Sequence, residues 1–406
     1  MKKIALMSLV ASSVLMAGGY KIPENSTNAV ALGAANVAHN HNSADAAYYN
    51  PAKMVFMEDT QQIEAALMYI GLEKVNFKGT VAGTATDEDS ESETFLVPSL
   101  HYVSDKLGDN SARVGVSVVS PGGLSKRWKG TEGSKSAEEF TLQTIEFNPT
   151  AAFKLSDTIG VAVGFRVVSS SGIAKATPAP GVVYQDMSGD SVDFGYNLAF
   201  AYNPTKEIEV GLTYRSQVNL TLDGDADLKY PSPAIDGNYD GGVTLPLPAA
   251  LNVAVAYTLP SKTTLEVVYE KTYWSAYQTL DFDYTDPTAE AVFGIPKAKE
   301  WSDTNTYRVG ITQELDNLTL MAGYVYDESP VPNNTLGLEL PDTDSQAVSL
   351  GGRYSVDKDL SVALSALYSM HDSRDITAAD ANINGLVGEI SGGNVLIISA
   401  GVAYKF

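Results

Sequence analysis

From about Gln62 to the end of the chain, apolar residues return at every second position in one segment after another, which is the period of strands with two unlike faces. Between 192 and 202 the greasy set is Val192, Phe194, Tyr196, Leu198, Phe200 and Tyr202. Asp193, Gly195, Asn197, Ala199 and Ala201 alternate with it. Successive side chains of a strand point to opposite faces, so one face here is apolar and the other small or polar. A second run sets Ile159, Val161, Val163, Phe165 and Val167 against Gly160, Ala162, Gly164 and Arg166. The same parity puts Arg113, Arg215, Arg308 and Arg353, with Glu64, Glu209, Glu266 and Glu270, on the polar face. A wall that is charged on one side and greasy on the other suits a closed barrel with lipid outside and paired charges within. A soluble β-sandwich is the competing reading, with its charges facing water.

The links between strands alternate in length. Short ones fall at 104–110, 155–158, 203–207, 259–262, 315–317 and 356–359. Long excursions rich in Asp, Gly and Pro fall at 79–93, 121–138, 172–190, 223–244, 284–301, 327–344 and 371–393. Short periplasmic turns and long outer loops are the habit of outer-membrane barrels. Six short links and seven long ones predict an all-β membrane protein, a 14-stranded antiparallel transmembrane β-barrel with both ends of the chain on the periplasmic side.

Met1, Lys2 and Lys3 precede an apolar stretch from Ile4 to Met16 and the small residues Ala17, Gly18 and Gly19. That is the layout of a Sec-type signal peptide, too short in its apolar part to span a bilayer as a helix, for which roughly 20 residues are needed. The expected division is signal peptide 1–18, an N-terminal hatch 19–58, and barrel 59–406. Residues 19–58 do not alternate, and a segment of that size ahead of the first strand predicts an inward plug. A flexible periplasmic tail is the other reading. Cysteine is absent, which excludes both a disulfide framework and lipoprotein processing. The net charge of −22 argues against nucleic acid as a partner. Tyr outnumbers Phe and Trp, as suits a bilayer interface. Val402, Tyr404 and Phe406 close the chain in alternation, and a terminal Phe is what barrel-assembly machinery is expected to read.

Two runs carry a family resemblance. Gly19-Tyr20-Lys21-Ile22-Pro23-Glu24 with Ala47-Tyr48-Tyr49-Asn50-Pro51-Ala52 resembles the hatch of the FadL/TodX (OMPP1) family of outer-membrane hydrophobic-compound transporters. Tyr326-Asp327-Glu328-Ser329-Pro330-Val331-Pro332 with Leu340-Pro341-Asp342-Thr343-Asp344 resembles its signature outer loop. The 301–310 stretch and the Tyr273-Trp274-Ser275 corner fit the same pattern. The resemblance covers nearly all of the mature chain. It implies a plugged barrel in which Asn50, Pro51 and Ala52 mark the hatch. It also implies loop capture of a hydrophobic molecule, a tighter inner pocket, and exit through a gap made by a kink in the third strand. That strand is 112–120, followed by Pro121, Gly122 and Gly123. Pro lacks a ladder donor and Gly accepts unusual backbone angles, so the tripeptide either breaks the pairing or simply starts a loop.

Candidate ligand contacts are clustered apolar loop residues, which are unusual on a solvated loop: Val182, Val183 and Tyr184; Leu245 and Leu247; Phe293 and Ile295. Ordinary loop packing is the alternative for each. A fatty-acid carboxylate would want a cation, and Arg166, Arg308 and Lys175 are the candidates, with Lys297 and Lys299 nearby. Pairing with Glu266 or Glu270 is the competing fate of a lumen arginine, which leaves fatty acid against neutral hydrocarbon open. His39 and His41 with Asp45 make a poor metal set, and neither metal nor cofactor is expected. The runs Asp87-Glu88-Asp89 and Asp223-Gly224-Asp225-Ala226-Asp227 miss calcium-loop spacing and read as solvated tips, facing lipopolysaccharide across divalent ions. The chain is expected to be a monomer in the outer membrane and not an enzyme. A general water-filled porin would lack the plug. A barrel-borne lipase would need Ser beside His101 or His371, and no motif singles one out.

Overall fold

The computed structural model describes residues 18–109 and 111–406, so the signal segment, but for its last residue, lies outside the described residues. Fourteen antiparallel strands close into a barrel. β1 (Gln62–Leu72) and β2 (Glu93–Val103) precede β3, which runs as Ala112–Val119, breaks, and resumes as Gly123–Lys126. β4 (Glu139–Lys154), β5 (Ile159–Ala179) and β6 (Val183–Tyr202) follow. β7 (Ile208–Arg215, then Val218–Pro231) and β8 (Ala234–Leu247, then Ala250–Thr258) are each interrupted once. β9 (Thr263–Thr272), β10 (Thr304–Glu314), β11 (Leu318–Asp327), β12 (Ser345–Ser355), β13 (Leu360–His371) and β14 (Val395–Lys405) complete the wall. β14 pairs with β13 on one side and with β1 on the other, from Gln62↔Lys405 to Leu72↔Val395. Closure satisfies backbone groups that lipid cannot.

The two-faced pattern explains the wall directly. Val192, Phe194, Tyr196 and Leu198 are exposed, whereas Asn197, Ala199 and Ala201 are buried. Tyr202, Tyr257, Tyr354 and Tyr404 sit exposed toward the short-turn end, and Tyr69, Tyr307 and Tyr324 toward the other. Such amphipathic rings suit the two membrane interfaces. Four of the short links, at 155–158, 259–262, 315–317 and 356–359, are tight turns. The bonds from Leu155 N–H to Ile159 C=O, Leu315 N–H to Leu318 C=O and Val356 N–H to Leu360 C=O, each 2.9 Å, are examples.

Two of the seven outer excursions are not loops. β5 and β6 stay paired out to Ala179↔Val183, and β7 and β8 to Pro231↔Ala234, so 172–190 and 223–244 are the ends of long hairpins. Pairing persists because alternation persists: Leu220, Leu222, Ala226 and Leu228 all bury on one side. Val75–Val81, Thr84–Asp89, Arg374–Ile376 and Leu386–Gly392 form a separate small sheet at the same end. Its Phe77, Ile376 and Ile390 join a single apolar core with Trp128, Trp274 and Leu338.

Candidate functional site

Residues 19–57 run inside the barrel. Helix α1 (Thr27–Leu32) starts at Ser26, whose Oγ accepts the Ala29 N–H at 3.0 Å, a standard N-cap. The Asp45 carboxylate, expected at most in a metal site, instead ties the segment together. It accepts from Ser26 Oγ at 2.7 Å, Asn28 Nδ2 at 3.3 Å and Asn36 Nδ2 at 3.4 Å. Helix α2 (Ala46–Tyr49) leads to Asn50, Pro51 and Ala52. Asn50 Oδ1 accepts the Ala52 N–H at 3.2 Å, opening a short 3₁₀ turn with Pro51 in the first position, where its missing donor costs nothing. Asn50 Nδ2 donates to the carbonyls of Val37 at 2.9 Å and, on β6, Phe200 at 3.3 Å. Close approach to the wall demands small lumen residues. A Cβ on Gly160 would lie 2.5 Å from the Ala52 carbonyl oxygen, and one on Gly211 2.6 Å from that of Val37. Ala152, Ala162, Ala199 and Ala201 pack against Ala47, Ala52 and Met54 for the same reason.

The lumen charges are spent on this packing. Among the described residues Glu266 pairs with no arginine. It accepts the backbone N–H groups of Val37, Ala38 and His39 at 2.7, 2.7 and 3.0 Å. Arg353 reaches Glu64 at 2.7 Å and Asn28 at 2.9 Å. Arg113 caps the carbonyls of Ser104, Met54 and Thr60. His101 does sit beside a serine, Ser117, at 3.0 Å. Both are fully buried, and the other ring nitrogen is held 2.9 Å from the Asn25 carbonyl, so the pair is a tie between wall and inner segment.

At β3 the ladder is incomplete. β2 pairs with β1 along its whole length but with β3 only from Leu100↔Val118 to Val103↔Gly115. The residues that break β3 turn inward and bond the inner segment instead. The Ile22 N–H donates to the Pro121 carbonyl at 3.1 Å, and the Gly123 N–H to that of Tyr20 at 2.8 Å. Gly122 bridges to Lys21, and a Cβ there would come within 2.9 Å of the Tyr20 carbonyl oxygen.

Next to this break lies a hollow between the inner segment and the wall. Ile22, Tyr48, Pro121 and Leu247 supply apolar lining, and Lys21, Arg166, Arg215 and Arg308 supply charge. Arg166 lies 3.1 and 3.0 Å from Glu146 through Nε and Nη2, and Arg215 bonds the other oxygen of the same carboxylate. Arg308 reaches Glu270 at 3.4 Å, with Lys21 Nζ on that same oxygen at 2.6 Å. Glu24 and Asp327 also act on Arg308. Even so, Arg215 Nη1 and Arg308 Nε are buried without a hydrogen-bond partner among the described residues. Sequence parity marked Arg166 and Arg308. It put Arg215 on the same face without singling it out, and it did not mark Lys21 at all.

Toward the outer end, Phe140, Ala174, Leu280 and Phe282 are common to two adjoining hollows. Leu245 lines the first, Lys175 and Lys297 the second. Lys175 is engaged by Glu138 at 3.2 Å and Asp186 at 3.5 Å, and Lys299 is paired with Glu339. Phe293 packs edge-on against Tyr230 and Tyr284. Ile295 is exposed, and Val182, Val183 and Tyr184 occupy the β5–β6 hairpin tip, away from these hollows.

A closed wall greasy outside and charged inside, with its lumen filled by the chain's own start, defines a plugged transport barrel of the bacterial outer membrane. The family model described as outer membrane protein transport protein (OMPP1/FadL/TodX) matches residues 8–406, and the chain belongs to that family. The "Long-chain fatty acid transport protein" of Salmonella typhi is 26% identical over 406 residues, covering 91% of each chain. Among solved structures, a Pseudomonas aeruginosa FadL homologue matches with a TM-score of 0.81 at 18% identity, covering 95% of this chain and 99% of its own. The Pseudomonas putida toluene transporter TodX matches with a TM-score of 0.70 at 16% identity, covering 95% and 98%.

Proposed function

We propose that the protein carries long-chain fatty acids across the outer membrane by facilitated diffusion, without catalysis. Capture takes place in the apolar hollows around Phe140, Leu245 and Phe282, where the exposed Ile295 and the hairpin tip contribute little. The molecule then passes to the inner cavity, with its carboxylate toward Arg215 and Arg308 and its chain along Ile22, Tyr48 and Leu247. It leaves sideways where β2 lacks a partner beside Pro121, Gly122 and Gly123. Residues 19–58 act as the hatch that keeps water and ions from following. The observation that carries the choice of an anion is the pair of buried guanidinium nitrogens with no partner, since such donors are costly unless something accepts from them. The fatty-acid transport of the Salmonella relative supports the same cargo.

A neutral hydrocarbon is the second reading, favoured by the nearly uncharged lining of the outer hollow around Leu245. Uptake of labelled oleate and toluene into a strain lacking its own transporter separates the two. Expression should accelerate oleate entry. Faster toluene entry with oleate unchanged would overturn the anionic cargo, and no effect on either would overturn transport.

A further inference from the structure

His39 and His41 belong to the inner segment, yet the residue that meets them comes from the wall. One ligand atom each from His39, His41 and Glu314, the last residue of β10, lie within 4.8 Å of one another. The imidazole centroids are 4.3 Å apart and nearly perpendicular. Each ring already uses one nitrogen: His39 Nδ1 is 2.5 Å from Glu209 Oε1, and His41 Nε2 is 3.3 Å from Thr312 Oγ1. The remaining two, His39 Nε2 and His41 Nδ1, are buried without a partner among the described residues.

We propose that His39, His41 and Glu314 form a binding site for a divalent transition-metal ion of the zinc type, joining the inner segment to the wall at the periplasmic end of the barrel. Two imidazoles and one carboxylate suit Zn²⁺ and its neighbours better than Mg²⁺ or Ca²⁺, which take all-oxygen sets. The Glu209 carboxylate on His39 Nδ1 is the outer-shell partner that a metal-bound histidine commonly has, and Lys53 holds that carboxylate from the other side. Glu314 is exposed, so an ion can enter from the periplasm and keep water in its remaining positions. Because the ligands come from two separate parts of the fold, the bound ion opposes any movement of the 39–41 turn away from β10.

The test uses the mature protein in detergent, with any affinity tag removed and stripped by a chelator. Zn²⁺ is titrated calorimetrically and Co²⁺ by its visible absorption. One equivalent should bind, with Co²⁺ bands typical of four or five coordination. Binding should vanish in His39→Ala/His41→Ala and weaken in Glu314→Gln, an exposed change that leaves folding alone. Glu209→Gln should cost about 10- to 100-fold in affinity, as loss of an outer-shell partner does. Uptake of no ion by the stripped wild type, or equal binding by the double-histidine variant, would overturn the site. Weak binding of several equivalents that survives every variant would reveal only the acidic loops and overturn it equally. Heat-dependent gel mobility checks that each variant holds a folded barrel.

Discussion

Arg215→Met isolates the role assigned to the inner cavity. Its guanidinium carbon lies 4.2 Å from the centre of the Tyr48 ring, its Nη2 bonds Glu146, and its Nη1 is free to donate. The substitution leaves Glu146 held by both bonds from Arg166, so the buried carboxylate keeps a cation and the barrel keeps its wall. A hydrogen bond to a charged group contributes about 1.5–3 kcal/mol, against about 0.5–1.5 kcal/mol for a neutral one. At about 1.4 kcal/mol per factor of ten, the Kd for a long-chain fatty acid should rise roughly 10- to 150-fold. The alcohol of equal chain length accepts from the same cation but brings no charge of its own, so its loss should sit at the lower end of that range, roughly 10-fold, with the acid's toward the upper end. Binding of both molecules to purified protein, measured by displacement of a fluorescent probe, gives the ratio of the two losses. Equal losses for acid and alcohol would mean that Arg215 only shapes the cavity. An unchanged Kd for the acid would remove the carboxylate from this end altogether.

Deleting residues 19–56 should raise ion conductance in a planar bilayer, since the lumen then holds only wall side chains. An unchanged current would mean that the segment is no stopper. Asn50→Ala removes two bonds across to Val37 and Phe200 and one cap. It should speed amide exchange over residues 37–56 and slow uptake while barrel assembly stays normal, whereas wild-type uptake with normal exchange would defeat it. In the outer loop, burial pushes Asp342 up to about 8, opposed by the hydroxyl bond from Ser329. A raised carboxyl binds its proton more tightly in the folded loop than in the unfolded one, so loop stability is full below about pH 4 and falls as pH rises toward 8. Limited proteolysis of the loop should therefore accelerate between about pH 6 and pH 8, the upper part of that window, and level off above it, and Asp342→Asn should flatten the dependence.

Much of the wall could be read from the chain because a strand's period of two is local. Val192 through Tyr202 declared both faces, and the same parity placed Arg166 and Arg308 inside without reference to any other strand. Height along the axis is a different quantity, and parity carries none of it. That is why parity offers any lumen arginine Glu266 or Glu270 alike: Arg308 does meet Glu270, while the carboxylate level with Arg166 is Glu146. The two long hairpins were hidden by composition. Asp223, Gly224 and Asp225 look like loop residues, while Leu220, Leu222 and Leu228 around them still alternate. Val182, Val183 and Tyr184 are apolar in the sequence, and only the β5–β6 register shows that they lie at a hairpin tip. Glu314 beside His41 had no signal at all, since nothing local connects the two.

Most barrels owe their stability in lipid to the absence of any sheet margin. The interruption at 120–122 gives this one a short margin. Along residues 93–99 the backbone of β2 has ladder partners on the β1 side alone. Pro98, within that stretch, brings no amide proton to leave stranded. On the proposed lateral route those peptide groups would meet water, lipid headgroups or a passing polar end, so an exit there would favour a molecule with a hydrogen-bonding tip.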